Sequence, residues 1–467
     1  MKVTADTLLS MSVDTLETAM MTNDKQKSEY ILVVGLGITG LSAVRYLSSQ
    51  GKNIVVVDSR KNAPGLKELE NNYPEVNAFL GEFDEALFLG ASRIIVSPGV
   101  SIKEDVIQQA IERGVDVIGD VELFAQQVDA PVVAVTGSNG KSTVVSLLGE
   151  MAKVAKINYA MGGNIGIAAL DLISDDVGLY ILELSSFQLE TLKSLKPVAA
   201  VVLNLSPDHM DRYGNYAEYI EVKENIYQQC ETAVINRDDE HVNVMQSSHK
   251  SITGFTLQEP GEGDYGLREY DSEMWLCKGK TKLIQQKALK LSGKHNTANA
   301  LAALALGDAA NLPNVSMLTA LTTFSGLPHR TQFVAEKKNI TWVNDSKGTN
   351  VGATIAAING LQIKNKLMLI AGGIAKDADF TPLQVVVKDK VRGVVLIGKD
   401  AAKIEQALKG KVSIWHAKDM QEAVKIAADN AVEGDTVLLS PACASFDMFS
   451  GYEHRGEVFV KAVEGLQ

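Results

Sequence analysis

Pro131-Val-Val-Ala-Val-Thr136, running on into Gly137-Ser-Asn139-Gly140-Lys141-Ser142-Thr143, is the stretch that decides the fold. A β-branched apolar run of this length reads as a buried parallel strand, and the glycines after it mark a tight turn into a helix. Successive backbone N–H groups in such a turn cradle phosphates. The lysine reaches the β/γ oxygens, and a hydroxyl can bind magnesium. The usual P-loop sets four residues between its two glycines. Here that earlier position is Val135 and the first glycine is Gly137, so the turn is a shortened variant. The reading is an α/β unit that binds ATP.

The same strand–turn–helix grammar extends in both directions. Upstream, Tyr30-Ile-Leu-Val-Val-Gly35 is a strand, Leu41, Val44, Tyr46 and Leu47 follow at helical spacing with Gly51 as a C-cap, and Ile54-Val-Val-Val-Asp58 is a second strand. Strands over Arg93–Ser97 and Val115–Ile118 close a first domain near residue 119. Downstream, strands are expected over Gly178–Glu183, Val198–Leu203 and Thr232–Asn236. A glycine-rich alternating region over 251–292 reads as antiparallel, and an alanine-rich helix spans Thr297–Ala310. The pattern then recurs at Ile340–Asn344, Leu367–Ile370, Val394–Ile397 and Thr436–Leu439. Alternating strands and helices predict three α/β domains with mainly parallel sheets over 30–119, 120–326 and 327–467, behind a tail of residues 1–29 that shows no period. A chain of 467 residues suits about three domains.

Composition sets the outer bounds. Hydrophobic residues make up 46% and charged residues 22%, which excludes disorder as a description of the whole chain. The net charge of −12 argues against nucleic acid or an anionic membrane as partner, while leaving room for a local basic pocket. Cys230, Cys277 and Cys443 are scattered and odd in number, as expected in a reducing compartment, and they lack metal-ligand spacing. No apolar run is long enough to span a bilayer and the N-terminus lacks a signal pattern, so a cytoplasmic location is expected.

Several further motifs could carry chemistry. Gly35-Leu-Gly37-Ile-Thr-Gly40 lies between strand and helix, with Asp58 ending the next strand. The glycines admit a pyrophosphate and the acid could hold a ribose hydroxyl; NAD, FAD and a UDP-sugar all suit it. Glu183 ends a central strand and His209 lies just past another, so both should meet Lys141 at the carboxyl edge of a parallel sheet. Glu183 suits magnesium, and His209 is a softer choice for it. Tyr216, Tyr219, Lys223 and Tyr227 share one helical face, where the local pattern makes Lys223 a snorkelling lysine. Three loops in the last domain, Asn344–Thr349, Gly372–Lys376 and Ser440–Ser445, each follow a strand and gather lysines and hydroxyls suited to a carboxylate. His241, His249 and His416 show no partner pattern, and Cys443 has no visible base beside it.

Taken in order, these motifs resemble the Mur ligases, ATP-dependent amino-acid-adding enzymes of peptidoglycan synthesis. The resemblance covers roughly 30–467. It rests also on Ser97-Pro-Gly99, Gly162-Gly-Asn164-Ile-Gly, Glu183-Leu-Ser-Ser-Phe-Gln-Leu, Asp208-His-Met-Asp-Arg-Tyr, His295-Asn-Thr-Ala-Asn299 and Leu327-Pro-His-Arg330. The first-domain turn and Asn344-Asp-Ser-Lys347 point to the branch that adds D-glutamate. The resemblance implies a Rossmann-like first domain holding the UDP end of UDP-MurNAc-L-Ala through Ile38, Thr39, Asp58, Ser59, Arg60 and Gly99. It implies a central P-loop ATPase-type domain with ATP on Gly137, Asn139, Gly140, Lys141, Ser142 and Thr143, and with Asn299, Arg330 and Asp345 around base and ribose. Ser142 and Glu183 would hold one magnesium ion, His209 and Lys223 a second, with Lys223 carbamylated by carbon dioxide in reversal of the local reading. Asn164 and His209 would place the acceptor carboxylate. A Rossmann-like last domain would clamp D-glutamate with Lys347, Thr349, Lys376, Ser445, Phe446 and Tyr452.

The reaction so implied is transfer of the γ-phosphate to the alanyl carboxylate, then attack of the D-glutamate amine on the acyl phosphate. It would run in a monomer whose last domain swings about residues 324–330. Two positions depart from some relatives: Ile374 stands where an aspartate is found, and Tyr452 where an aromatic contact lies. A nicotinamide oxidoreductase would leave Lys141 unexplained, and a P-loop switch protein would leave the first-domain turn and the last-domain loops unexplained.

Overall fold

The computed structural model describes residues 30–245, 251–291, 293–361 and 363–466; the tail 1–29 and His249 lie outside them. The chain divides into two compact units, one up to Ile118 and one from Gly119.

The first unit is a five-stranded sheet: β1 (Ile31–Val34), β2 (Ile54–Asp58), β3 (Asn77–Leu80), β4 (Arg93–Val96) and β5 (Asp116–Gly119), in the order β3-β2-β1-β4-β5. β1 pairs in parallel with both β2 and β4, Ile31 standing opposite Ile54 and Arg93. The connection therefore reverses direction beside β1, which opens a crevice at the carboxyl ends of these strands. Leu32, Val34, Ile94 and Val96 are buried against Phe88 and Ile107 from the covering helices. β3 was not foreseen from sequence. It is an edge strand with alternating exposure, Phe79 remaining 43% exposed, so it carries no apolar run to detect.

The second unit holds two sheets. The larger contains β6 (Val132–Thr136), β7 (Tyr159–Gly163), β8 (Leu179–Glu183), β9 (Ala199–Val202), β10 (Thr232–Asn236), β11 (Ser251–Phe255), β12 (Tyr265–Tyr270), β13 (Glu273–Lys278) and β14 (Thr281–Gln285), ordered β14-β13-β12-β11-β10-β9-β6-β8-β7. β6 lies between β8 and β9, parallel to both. The antiparallel expectation for 251–292 holds for β12–β13–β14 and fails for β11, which runs parallel to β10 with Ser251 opposite Thr232. The helix Glu240–Val244 precedes β11, and a strand that returns after a helix pairs in parallel. The helices Lys141–Val154 and Lys294–Ala309 cover one face of the sheet. The second is buried on nearly every side from Asn299 to Gly307, where its alanines allow close approach.

The smaller sheet contains β15 (Gln332–Lys337), β16 (Ile340–Asn344), β17 (Leu367–Gly372), β18 (Val391–Ile397), β19 (Ser413–His416) and β20 (Thr436–Leu439), ordered β15-β16-β20-β17-β18-β19. All its pairs are parallel except β15–β16. Separate apolar clusters fill its two faces, as in a doubly wound sheet. The carboxyl ends of β6, β8 and β9 and those of β16, β17 and β20 carry the loops singled out above. Among the described residues no helix is long and apolar enough to cross a membrane.

Candidate active site

In the first unit, Gly35 takes φ +94° and Gly40 packs so tightly that a Cβ on it would lie 1.8 Å from the Gly35 carbonyl oxygen. Ser97 Oγ donates to that same carbonyl at 3.0 Å. The turn thus leaves Gly37 and Thr39 partly exposed and Ile38 73% exposed at the start of the helix Ile38–Ser49, with Gly99 exposed in the loop after β4. Asp58 is buried and its carboxylate is fully engaged. It accepts from Leu36 N (2.7 Å), Arg60 N (2.8 Å), Arg60 Nε (2.8 Å) and Arg60 Nη2 (2.6 Å). Despite burial, these bonds hold its pKa down to about 2. The carboxylate that sequence offered to a ribose hydroxyl therefore ties the glycine turn to Arg60, whose side chain is 53% exposed, and the exposed Ser59 sits between them.

In the second unit, Gly137 (φ +144°) and Gly140 (φ +89°) turn the chain from β6 into the helix Lys141–Val154. The loop is braced from β9's end: Asn139 N donates to Asn204 Oδ1 (2.9 Å), and Ser138 Oγ bonds the Ser206 carbonyl and the Tyr219 hydroxyl. Lys141 Nζ folds back onto the carbonyls of Gly137 (2.7 Å) and Ser138 (3.1 Å). Burial lowers its pKa against the opposing pull of Glu183 and Asp208. Glu183, at the end of β8, accepts from Ser142 Oγ (2.6 Å) and from Asn164 Nδ2 (2.9 Å). A lysine and a hydroxyl from the start of one helix and a carboxylate from the end of β8 therefore come together.

His209 faces the same cleft in a left-handed conformation (φ +57°), its ring edge-on to Phe187 at 4.9 Å. Burial depresses its pKa, with Asp208 opposing. Lys223 overturns the local reading. It is 2% exposed, and its Nζ ends on Thr136 Oγ1 at 3.1 Å, beneath the face of Tyr219. Burial, reinforced by Lys141, lowers its pKa well below the ordinary value. A snorkelling lysine reaches water; this one does not.

The three last-domain loops converge on the same cleft, a space of ≈ 460 Å3 that Thr349, Lys376, Ser445 and Phe446 also line. Lys347 Nζ lies 3.8 Å from the ring centre of Tyr452, and burial, with Arg330 beside it, brings its pKa down to about 8. A second, adjoining cavity is lined by Thr143, Asn299, Asp345, His295 and Phe255. Asp345 is buried, accepting from Ser440 Oγ (2.7 Å) and Thr331 N (3.0 Å), and burial raises its pKa to about 6. Every site residue expected in the second unit lines one of these two spaces.

Three family models match in order: a MurD-like N-terminal domain of Mur ligases over 29–119, the Mur ligase middle domain over 135–307 and the Mur ligase glutamate ligase domain over 329–443. UDP-N-acetylmuramoylalanine–D-glutamate ligase of Nitrosococcus oceani is 51% identical, covering 93% of this chain and 96% of the relative. The ligase of the same name from Pseudomonas aeruginosa is 48% identical over 93% and 98%. The chain belongs to the Mur ligase family. Solved Mur ligases share the fold at low identity. MurF from Acinetobacter baumannii has a TM-score of 0.61 at 15% identity, covering 95% of this chain and 92% of that one. MurF from Thermotoga maritima, solved in complex with ADP, scores 0.60 at 17% identity over 95% and 99%. The three-domain α/β layout with mainly parallel sheets is that of the Mur ligase family.

Arg330 stands between the two spaces. It lines the second cavity with Asn299 and Asp345, as expected of a residue near a base and ribose, and its guanidinium also donates to Ser142 Oγ (2.5 Å) at the start of the helix Lys141–Val154. Two further residues were missed. Asp208 lines the cleft with its carboxyl held below the ordinary pKa; burial opposes this, and His209, Lys376 and Lys141 outweigh it. Asn350 caps the helix Val351–Gly360 through Oδ1 and donates from Nδ2 to Asp208 (3.1 Å) and Asn139 (3.4 Å). An asparagine before a helix reads only as a cap, so nothing local announces the second role. Among the described residues no three His, Cys, Asp or Glu side chains gather as a metal shell. Ser142 and Glu183 together fit a hard cation that keeps water and phosphate oxygens as its other ligands. The enclosed amine of Lys223, its pKa lowered by burial, suits a nucleophile for carbon dioxide better than a solvated lysine would.

Proposed function

We propose that the chain joins D-glutamate to the alanyl carboxylate of UDP-MurNAc-L-Ala at the expense of ATP. One observation carries this reading: Lys141, the Ser142–Glu183 pair and the lysines Lys347 and Lys376 line a single cleft. A phosphate-handling centre and a carboxylate-binding centre so joined suit carboxylate activation followed by amine capture.

ATP would lie along Gly137–Thr143, its base and ribose toward Asn299 and Asp345. Arg330 and Lys141 would draw charge from the γ-phosphoryl group as its bond to the β-phosphate oxygen breaks and a bond to the alanyl carboxylate forms. Asn164 and His209 would hold that carboxylate in line. The D-glutamate amine then attacks the acyl carbon and phosphate departs. Lys347, Thr349, Lys376, Ser445, Phe446 and Tyr452 would fix the amino acid's two carboxylates. Bound magnesium, on Ser142 and Glu183 and on His209 with a Lys223 carbamate, would neutralise charge on the phosphates. Ile38, Thr39, Ser59, Arg60 and Gly99 would take the UDP end, with Asp58 serving it by holding Arg60 and the turn in place. The domains are assigned to 30–119, 120–326 and 327–467, with a swing about 324–330, in a cytoplasmic monomer with neither nucleic acid nor membrane as partner.

Phosphate release from ATP, measured with UDP-MurNAc-L-Ala and a panel of amino acids, tests the reading. Release that needs both the nucleotide sugar and D-glutamate is the expected outcome. Release with a different amino acid, or with none, overturns the substrate assignment.

A further inference from the structure

The loop carrying His209 needs an anchor. His209 holds a left-handed backbone conformation that an L side chain seldom adopts, and such a conformation persists only where its surroundings over-determine it. The residues that follow supply the constraint. Arg212 N donates to the His209 carbonyl at 2.9 Å, and the side chains of Arg212 and Tyr213 both turn to one carboxylate, Glu190. Arg212 Nη2 donates to Glu190 Oε2 at 2.6 Å, Arg212 Nε to Oε1 at 3.2 Å, and the Tyr213 hydroxyl to Oε1 at 2.8 Å.

The pair is largely withdrawn from water, the side chains being 13% and 7% exposed. A buried ion pair recovers its desolvation cost only with good geometry, and breaking one side of it leaves an uncompensated charge. The Arg212 guanidinium also lies over the Phe187 ring, 4.3 Å from its centre, and Phe187 in turn meets the His209 ring at 4.9 Å. A planar guanidinium can make the fork and the stack together; an ammonium cannot. Glu190 does not itself line the cleft.

We propose that Glu190 is a positioning residue: through Arg212 and Phe187 it sets the place of the His209 imidazole in the cleft. The carboxylate holds the guanidinium plane, the plane holds the aromatic ring, and the ring limits where the imidazole can lie. The proposal rests on the reading of His209 as a site residue, so its test includes one arm that needs no substrate.

Glu190→Gln keeps the shape and removes the charge. Arg212→Lys keeps the charge and removes the fork and the stack; it serves as the second variant where Glu190→Gln does not fold. In folded protein the His209 Cε1–H resonance, assigned by its loss in His209→Gln, is expected to move in both variants while the His241 and His416 resonances stay in place. kcat is expected to fall about tenfold with the KM for D-glutamate changed by less than about twofold, and Glu190→Asp is expected to recover part of the loss. An unmoved His209 resonance overturns the proposal, as does a kcat within about twofold of wild type. Wild-type protein that fails to use D-glutamate, with the His209 resonance still moving in the variants, would indict the substrate reading and leave the anchor standing.

Discussion

The chain builds a glycine turn between strand and helix twice, and the two turns are organised for different work. At Gly35–Gly40 the nearest carboxylate, Asp58, is locked to Arg60 and Leu36 N, and no lysine enters the turn. At Gly137–Ser142 the nearest carboxylate, Glu183, is held by the Ser142 hydroxyl and the Asn164 amide, and Lys141 stands beside it. The first turn offers backbone N–H groups and one outward arginine: it can hold a diphosphate and has nothing with which to transform it. The second gathers a cation, a hydroxyl and a carboxylate where charge would develop on a transferring group. On the proposed function the same local grammar would serve as a cradle in one place and a reaction centre in the other, and the difference lies in what the adjacent acid is bonded to.

If that contrast is right, the largest losses of activity come from the second turn. Lys141→Ala should lower kcat about 10³-fold, since on the proposed function it removes a charge that would act on the transferring phosphoryl group. Phosphate release at saturating ATP measures it; a loss of only severalfold would move the reacting centre away from this lysine. Ser142→Ala removes the hydroxyl that bonds Glu183 and receives Arg330. It should lower kcat by about 10²-fold and raise the magnesium concentration needed for half-maximal rate. An unchanged magnesium requirement would count against Ser142 and Glu183 as the cation's ligands.

What could be read in advance follows the range of the interactions involved. The strand β6, its glycine loop and the lysine were legible because sterics and phosphate chemistry confine them to adjacent residues. β3, β15 and β19 were not, since each lies at a sheet edge with part of its face in water and carries no apolar run. Lys223 was misread locally because its burial is imposed by Thr136, 87 residues away, and by the packing of Tyr219. Arg330 meets Ser142 across 188 residues, and Asn350 meets Asp208 across 142. The Mur ligase resemblance carried what the local pattern could not, naming Lys223 as a site residue while the helix around it looked like an ordinary surface. It set Arg330 at the base and ribose; the side chain lines that cavity and also bonds Ser142, a contact the resemblance did not announce.

The first turn should respond in binding. Asp58→Asn leaves the glycine turn intact but weakens the hold on Arg60, so the KM for UDP-MurNAc-L-Ala should rise about tenfold with kcat changed less than about twofold. A matching fall in kcat would mean that this turn does more than hold its ligand, and the contrast between the two turns would fail.

The smallest effect expected is on stability, and its pH dependence isolates the same carboxylate. Asp58 is 2% exposed, and its folded pKa of about 2 lies below the ordinary 3.8. A depressed folded value means that the ionised form favours folding: the contribution is fully present above pH ~4 and lost as pH falls toward ~2. Arg60 is half in water and screened, so the magnitude should be on the order of 1 kcal/mol. Urea unfolding of the wild type and of Asp58→Asn, compared from pH ~6 down to ~2, should therefore show a gap in midpoint that closes across this window. A gap that stays constant would mean that Asp58 stabilises the turn by shape alone. The charge on Arg60 would then be free of it, and the acid in the first turn would be no more committed than the one in the second.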